Sequence, residues 1–369
     1  MALNQSAASE HSSQRDIRDL GLEELEAVVA AAGERSFRAK QLAGWLYARG
    51  ADSFDAMLDL PKPFREHLKN HFRIDSPLTA HVARSSDGTR KLLIRLHDGE
   101  AIESVIIPSR ELEATPNGEK LNQRITLCMS SQAGCAMACE FCATARMGLH
   151  RNLNVGEIVS QVFLARRELQ ADEHLTNYVF MGMGEPLANY QRLVKALTIM
   201  TSEWGMGISP RRITVSTVGI VPMMERLLTE VPVRIAVSLH ATTNELRDQL
   251  APINKRYPLE ALLDACTRLP LKHRERITFE YVMLRGVNDS PEDARHLVKL
   301  LAPVRGKVNL IFFNAFEGAG FASSPRAAVE DFQAILRKGN LTATIRESRG
   351  LDIAAACGQL HAEQARESH

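Results

Sequence analysis

The sequence lacks any apolar run long enough to span a bilayer, which takes about 20 consecutive apolar residues. Its first twenty residues are mostly polar, so the apolar segment of a secretory signal is also missing. An excess of one charge is absent too, since 45 Lys and Arg residues face 44 Asp and Glu residues. A surface that coats phosphates without specificity is therefore not indicated. We expect a cytoplasmic, globular protein with no membrane contact.

Cysteine is scarce, with 6 residues in a chain of 369. That number is too small for a disulfide scaffold at this length. Four of the cysteines nevertheless lie between Cys128 and Cys142. In a reducing compartment, such crowding is typical of metal binding or catalysis. Hydrophobic residues at 45% and charged residues at 24% are ordinary for a folded chain, so we expect a globular protein with a cofactor.

Composition and hydrophobic pattern divide the chain into five segments. Residues 1–15 are rich in Ala, Ser and Gln and are predicted to be disordered. The remaining segments are a small helical domain (16–80), a β-hairpin with a polar connection (81–122), the core (123–349) and a C-terminal tail (350–369). The hairpin is indicated by two alternating runs around Asp98 and Gly99.

From residue 123 onward, apolar strand patterns alternate with helix-like stretches. Six such units are followed by a seventh strand candidate, LTATIRES. Repeated βα units predict a parallel sheet covered by helices, because the crossover connections are right-handed. Six units are too few for a closed eight-fold barrel. The predicted fold is therefore α/β, an open, partial (βα)6 barrel.

Unusual residues follow the strands of this barrel at the points where each strand ends. They are Cys135, Cys139 and Cys142 after the first strand, Gly184 and Glu185 after the second, Ser216 at the third, Ser238, Leu239 and His240 at the fourth, and Asn314 at the sixth. Barrel enzymes assemble their active sites at the carboxyl ends of their strands. We therefore expect these residues to form one shared site.

The spacing Cys-X3-Cys-X2-Cys lets three thiolates turn toward one metal centre. On a cubane iron–sulfur cluster, three thiolates leave one iron free to bind a substrate and pass it an electron. The alternative is a structural zinc site, which needs a fourth ligand. Either Cys128 or His150 is close enough along the chain to supply it.

The cysteine motif after the first strand, followed by Gly-Glu-Pro after the second, resembles the radical S-adenosylmethionine enzymes. The similarity is closer to one family within them, the RlmN-type adenine C2-methyltransferases. It is carried by FMGMGEPLANY, RRITVSTVGIVP, AVSLHA and RGLDIAAACGQL, and it extends from about residue 35 to residue 360. Members of this family act on 23S ribosomal RNA and, in some cases, on transfer RNA.

The resemblance implies a role for each matching residue. Cys135, Cys139 and Cys142 would hold a 4Fe-4S cluster whose free iron binds S-adenosylmethionine. The methionyl amino group would lie against Gly184 and Glu185. The rest of that cofactor would contact Ser216, Ser238, Leu239, His240 and Asn314.

Three further residues would carry the methyl transfer. The resemblance implies that Cys357 is itself methylated, that Cys128 is its disulfide partner, and that Glu103 accepts a proton. Adenine C2 is electron-poor, so a radical route to it is chemically reasonable. A transfer through a protein thiol followed by disulfide release needs two cysteines outside the cluster motif. By strand alternation Glu103 shares an apolar face with Val105 and Ile107.

The implied partners are RNA and an external one-electron donor such as flavodoxin, and the protein is expected to be a monomer. The N-terminal helices would add an RNA-binding element. Two alternatives remain open from the sequence. One is a methyltransferase of the Cfr type, which modifies C8 of adenine with the same cysteines. The other is a zinc-stabilised RNA-binding protein without catalysis.

Overall fold

A computed structural model of the protein describes residues 14–75, 77–109 and 124–362. The strands in these ranges are β1 (Arg15–Asp16), β2 (Phe72–Arg73), β3 (Leu78–Arg84), β4 (Arg90–Arg95), β5 (Ala101–Pro108), β6 (Ile125–Cys128), β7 (Gln132–Gly134), β8 (Leu149–Asn152), β9 (Asn177–Phe180), β10 (Ile213–Thr217), β11 (Arg234–Ser238), β12 (Ile277–Met283), β13 (Gly306–Phe312) and β14 (Ala343–Arg346). The α-helices are α1 (Leu22–Ala31), α2 (Phe37–Ala43), α3 (Lys62–His71), α4 (Ala143–Arg146), α5 (Val155–Arg167), α6 (Tyr190–Thr201), α7 (Val221–Glu230), α8 (Asn244–Leu250), α9 (Leu259–Arg268), α10 (Pro291–Leu301) and α11 (Arg326–Lys338).

One ten-stranded sheet forms the body of the protein, in the order β14-β13-β12-β11-β10-β9-β6-β5-β4-β3. The strands β6 and β9 to β14 pair in parallel, and helices occupy each of the six connections between them. The sheet has two free edges, β14 and β3, so the barrel is open. The predicted α/β class and the open (βα)6 barrel with a seventh strand are confirmed.

The register of the parallel strands fixes which side chains share a face. Ser238 on β11 pairs with Glu280 on β12, and Glu280 pairs with Asn309 on β13. Two residues further along β13, Ile311 pairs with Arg346 on β14. Partners in register point to the same side of a sheet, and side chains two residues apart do as well. Glu280 and Arg346 therefore face the same side as Ser238.

The predicted hairpin is confirmed as β4 and β5, which join the barrel sheet through antiparallel pairing of β5 with β6. Gly99 lies in the connecting turn with a φ of 86°, a conformation that favours glycine. A third strand, β3, extends this part of the sheet and was not predicted as a strand. It crosses residue 80, where the sequence pattern predicts the change from helices to strands.

The N-terminal helices contact the barrel through α5. The backbone N–H of Gly156 donates to Asp19 Oδ1 at 2.9 Å, and Arg18 Nη1 donates to Ser160 Oγ at 3.4 Å. A Cβ on Gly156 would lie 2.6 Å from Asp16 Oδ2, so this close approach requires glycine. Arg15 and Asp16 form β1, so the predicted disorder does not extend to residue 15. Residues 1–13, 110–123 and 363–369, including most of the predicted polar connection, lie outside the described residues.

Within the described ranges, no helix has the length and apolar character that crossing a membrane requires.

Candidate active site

A cavity opens at the carboxyl ends of the parallel strands, as the sequence predicts. It brings together side chains from the cysteine loop, five strand ends and the C-terminal tail. The residues proposed from the sequence that line it are Cys135, Cys139, Cys142, Gly184, Glu185, Ser216, Ser238, His240, Asn314 and Cys357. Leu239, Cys128 and Glu103 do not line it. Leu239 lies between two residues that do, Ser238 and His240.

The cysteine loop is shaped by backbone hydrogen bonds and by the left-handed backbone conformation of Gly134. The N–H of Cys135 donates to Gly148 O at 2.8 Å, and the N–H of Cys142 donates to Cys139 O at 3.2 Å. Gly134 has a φ of 75°, and a Cβ there would lie 1.9 Å from Gly148 O. The strand pair β7-β8 therefore closes the loop only with glycine at this position. All three cysteines of the loop line the cavity.

Electrostatics disfavour three free thiolates in this loop. Burial, with a smaller contribution from a thiolate at Cys142, raises the pKa of Cys135 to about 12. Burial also raises the pKa of Cys139 well above its ordinary value, with the other two thiolates adding to the effect. A bound cation would reverse this, because metals stabilise the thiolate form. The loop therefore suits a metal centre.

The geometry of the thiols bears on which centre they suit. In the part of the chain that the structure describes, no three His, Cys, Asp or Glu side chains are arranged to hold a single metal ion. The three cysteines do line one cavity. Three cysteines are the number that a 4Fe-4S cluster with one open iron takes from the protein, one fewer than the four ligands of a structural zinc ion.

The Gly-Glu-Pro loop after β9 packs tightly on the loop after β6. The N–H of Glu185 donates to Gln132 Oε1 at 2.8 Å. The Glu185 carboxylate accepts from the N–H of Leu187 at 3.0 Å and from the N–H of Val218 at 2.8 Å. Burial raises the pKa of Glu185 to about 7, and the two backbone N–H groups oppose that shift. The Glu185 carboxyl group is thus held in a fixed position in the cavity wall, where its carboxylate form can bind a cationic group.

Gly184 in this loop is required by both conformation and space. Its φ is 98°, and a Cβ would lie 2.5 Å from Gln132 Cβ. Gly184→Ala is therefore expected to destabilise the protein more than Gly99→Ala, where φ is 86° and no atom lies within 4 Å. Left-handed strain costs about 1–2 kcal/mol at either position, and overpacking adds about 1–3 kcal/mol at Gly184. Urea unfolding of both variants measures the difference, and equal losses would contradict the packing argument.

The fourth strand end places His240 in the cavity wall and Leu239 behind it. His240 has a φ of 59°, and its Nδ1 accepts from the N–H of Val282 at 3.1 Å. Burial, followed by the charge of Arg247, lowers the pKa of His240 to about 3, so the imidazole is neutral with its proton on Nε2. The Leu239 side chain is fully buried, and its N–H donates to Glu280 O at 3.0 Å.

The C-terminal tail carries Cys357 into the cavity. Asn314 Nδ2 donates to Cys357 O at 3.0 Å, and the N–H of Ala143 donates to Gly358 O at 2.8 Å. Thr144 Oγ1 donates to Leu360 O at 2.7 Å. These bonds tie the tail to helix α4, which directly follows the cysteine loop. Cys357 is the exposed cysteine outside the motif, whereas Cys128 and Cys266 are buried.

Glu103 also holds the tail. Its Oε2 accepts from the N–H of His361 at 2.7 Å, and its Oε1 pairs with Lys91 Nζ at 2.8 Å. Lys91 Nζ in turn donates to Ala354 O at 3.3 Å. Glu103 is buried, with 3% of the residue exposed. Its carboxylate lies in an ion pair with Lys91 beneath the tail, a contact that strand alternation does not predict.

Two charged residues that sequence reasoning missed lie near Cys128 and Cys357. Burial raises the pKa of Cys128 to about 12, and Cys357 adds to the shift while Arg346 opposes it. The protein atoms around the cavity also desolvate the Cys357 thiol and raise its pKa, and Arg346 again opposes the shift. Arg346 Nη1, at the end of β14, contacts Met181 Sδ, just after β9, at 3.6 Å. Glu280 lines the cavity, and its Oε2 has no hydrogen-bond partner among the described residues. The signal in the sequence for both Glu280 and Arg346 is a charged residue within an otherwise apolar strand pattern.

Known sequence families match both parts of the chain. The pattern of the family described as "Radical SAM superfamily" matches residues 129–300. The pattern described as "Ribosomal RNA large subunit methyltransferase N-terminal domain" matches residues 15–74. With the open barrel and the cysteine-lined cavity, these matches define an enzyme of the radical S-adenosylmethionine class.

Individual relatives narrow the class to a family. The chain is 49% identical over 359 residues to the dual-specificity RNA methyltransferase RlmN of Anaeromyxobacter dehalogenans, covering 96% of this chain and 93% of the relative. It is 50% identical over 345 residues to the RlmN of Geobacter sulfurreducens, covering 94% and 91%. The chain therefore belongs to the RlmN family. A solved radical SAM methyltransferase from Sphaerobacter thermophilus matches with a TM-score of 0.86 and 43% identity, covering 95% of this chain and 100% of that one.

Proposed function

We propose that the protein methylates C2 of adenine in 23S ribosomal RNA, with transfer RNA as a second substrate. The reaction would use a radical route with a methyl-cysteine intermediate and a transient disulfide. The observation that carries this proposal is the convergence of three motif cysteines, the Glu185 carboxylate and the separate Cys357 thiol on one cavity. Relatives that are about half identical are named as dual-specificity RNA methyltransferases, which supports the substrate class.

The cavity suits a 4Fe-4S cluster held by Cys135, Cys139 and Cys142. Together, a bound cluster and S-adenosylmethionine supply the reductive radical chemistry of this enzyme class. The protein's part is to bind and orient. Glu185 would attract the methionyl ammonium group, and Gly184 would let the backbone approach it closely.

The other strand-end residues would hold the remainder of S-adenosylmethionine. Ser216, Ser238 and His240 line the cavity, where the neutral imidazole offers an Nε2 proton. Asn314 donates its amide N–H to the tail, which leaves its Oδ1 for the cofactor. Leu239 has its side chain buried and both backbone groups hydrogen-bonded, so we assign it the role of a link between Ser238 and His240.

Three residues outside the cluster motif would carry the methyl group and the proton. Cys357 would accept the methyl group, because its thiol is exposed to the same cavity as the proposed cofactor. Glu103 would take the proton from adenine C2, and its contact with the N–H of His361 keeps it close to the tail. Cys128 would then attack the Cys357 sulfur as a thiolate and break the bond between that sulfur and the transferred carbon. A disulfide forms, and the released carbon takes up a proton to complete the methyl group. Arg346 favours the thiolate that this attack needs.

The protein is further proposed to act as a cytoplasmic monomer that receives electrons from a donor such as flavodoxin. The helical segment at residues 16–80 would add RNA contacts, in keeping with the match of residues 15–74 to an RNA methyltransferase N-terminal domain. Residues 81–122 would form the hairpin unit, residues 123–349 the catalytic core and residues 350–369 the tail that carries Cys357. A modified base must leave the stack of a folded RNA to enter such a cavity.

Binding of S-adenosylmethionine is expected to weaken as the pH falls from about 8 to about 6. The carboxylate form of Glu185 attracts the ammonium group, and its pKa near 7 means that protonation competes in this window. Glu185→Gln is expected to lower the affinity at high pH and to flatten the profile. Calorimetric titration of the reconstituted protein measures this, with the exposed Glu203→Gln as the control. A Glu185→Gln profile with the wild-type pH dependence would contradict the assignment.

The function itself is tested by anaerobic reconstitution with iron and sulfide, followed by mass spectrometry of adenosines from digested substrate RNA. The proposal predicts 2-methyladenosine and about four irons per chain, as a 4Fe-4S cluster requires. Finding 8-methyladenosine would assign the protein to the Cfr-type reaction. Zinc in place of iron, with no methylated base, would favour the non-catalytic RNA-binding alternative.

A further inference from the structure

Arg247 on α8 is the largest fully buried side chain in the described part of the protein, with 0% of the residue exposed. Its guanidinium spreads over several strand ends behind the cavity. Nη2 donates to Val218 O at 2.7 Å and to Ser238 O at 3.1 Å. Nε donates to Leu239 O at 3.2 Å, and Nη1 donates to Asn254 Oδ1 at 3.0 Å. One side chain therefore fixes the ends of both β10 and β11.

All of these acceptors are neutral. Among residues 14–75, 77–109 and 124–362, no ion pair joins Arg247 to a carboxylate, and the nearby Asp248 accepts from Asn254 Nδ2 at 2.7 Å. A buried charge without a counter-charge costs several kcal/mol. Burial lowers the pKa of Arg247 to about 10, and a thiolate at Cys139 is the strongest influence against that shift. The group remains a cation at neutral pH, beside a motif cysteine.

Helix α8 is also attached to the cysteine loop. The N–H of Glu140, between the second and third motif cysteines, donates to Leu250 O at 3.1 Å. The ring of Phe141 packs edge-on against His240 with centroids 4.4 Å apart. The cysteine loop, α8 and the ends of β10 and β11 are thus one connected unit, with the Arg247 cation inside it.

We propose that Arg247 is a positioning and charge-balancing residue for the cofactor site: it supplies the buried positive charge that offsets an anionic iron–sulfur cluster and fixes the strand ends that hold S-adenosylmethionine. This inference rests on the proposed function. Three cysteine thiolates give a 4Fe-4S cluster net negative charge, and reduction adds one more. A fixed cation nearby stabilises the reduced form and so raises the reduction potential.

Two substitutions separate the charge from the geometry. Arg247→Met removes both, so the midpoint potential of the cluster is expected to become more negative and the affinity for S-adenosylmethionine to fall about tenfold or more. Arg247→Lys keeps the charge but cannot bond several carbonyls at once. Its potential is expected to stay near the wild-type value while the affinity falls. Redox titration followed by electron paramagnetic resonance, and calorimetry with S-adenosylmethionine, give the two readouts.

Arg295→Met on α10 is the matched control, because it removes an exposed arginine that pairs with Glu292 at 2.7 Å. Thermal unfolding of each protein without cofactor reports whether it is folded. If Arg247→Met does not fold, Arg247→Lys decides the question: an unchanged affinity would overturn the proposal, and a reduced affinity at unchanged potential would support it. A folded Arg247→Met protein that matches wild type in potential and affinity would overturn it as well.

The wild-type protein separates the two proposals. If it takes up no cluster, the proposed function and the role of Arg247 both fail. If the wild-type protein loads iron and binds S-adenosylmethionine, and its midpoint potential and affinity equal those of Arg247→Met, the proposed function stands. Only the Arg247 proposal is then overturned.

Discussion

Replacing Cys357 with alanine is expected to abolish RNA methylation and to leave the iron content unchanged. The thiol lines the same cavity as the three motif cysteines, yet it belongs to a different segment of the chain, the C-terminal tail. If Cys357 carries the methyl group, its loss removes the residue that forms the covalent intermediate between S-adenosylmethionine and RNA. The tail itself should remain in place, because its anchoring bonds use the backbone at Cys357, Gly358 and Leu360.

The measurement is the yield of methylated adenosine together with iron content and absorbance of the reconstituted protein. Cys266→Ala is the matched control, since that cysteine is buried in α9 outside the cavity. It should lose some stability, of the order of 1 kcal/mol, and keep its activity. Methylated adenosine formed by Cys357→Ala at a rate near wild type would rule out transfer through this residue.

Replacing Cys128 with alanine is expected to trap the protein covalently on its RNA. In the proposed sequence, the bond between Cys357 and the base forms first, and Cys128 then breaks it by forming the disulfide. Without the Cys128 thiol, the first step proceeds and the second does not. The residue lies at the end of β6 with 8% of its surface exposed, and a thiolate at Cys357 raises its pKa.

The trapped species should migrate as protein-linked RNA on a denaturing gel and lose its shift on protease treatment. The double variant Cys128→Ala and Cys357→Ala is the control, because it lacks the atom to which the base would be bound. It should give no linked species. Multiple turnover without any linked RNA in the Cys128→Ala protein would show that another group resolves the intermediate.

Much of the architecture followed from the sequence because the strands and helices of the barrel have distinct periodicities. The central strand β12 is covered on both faces and so has a nearly continuous apolar run, with every position except Thr278 buried. The rule that barrel sites form at strand ends then brought together residues as distant as Cys135 and Asn314. Neither step requires long-range information.

Other features depended on contacts that local patterns do not encode. Strand β3 is an exposed edge strand with a polar, weakly alternating sequence, so it lacked the usual signal. Sequence reasoning missed Glu280 and Arg346, because a single charge in an apolar strand does not indicate which other segment of the chain it faces in the folded protein. The bond from His361 to Glu103 joins residues 258 positions apart, and only the folded tail reveals it. The proposed role of Arg247 likewise depends on its hydrogen bonds to carbonyl groups at the ends of two strands, β10 and β11.

The most direct test of the account follows one methyl group through Cys357. The reconstituted protein is first incubated with methyl-labelled S-adenosylmethionine without RNA, and mass spectrometry locates the label on the Cys357 peptide. RNA is then added with a large excess of unlabelled S-adenosylmethionine, and the first turnover is analysed. The first 2-methyladenosine formed is expected to carry the label lost from Cys357. Unlabelled 2-methyladenosine in that turnover, with the label still on the protein, would contradict it.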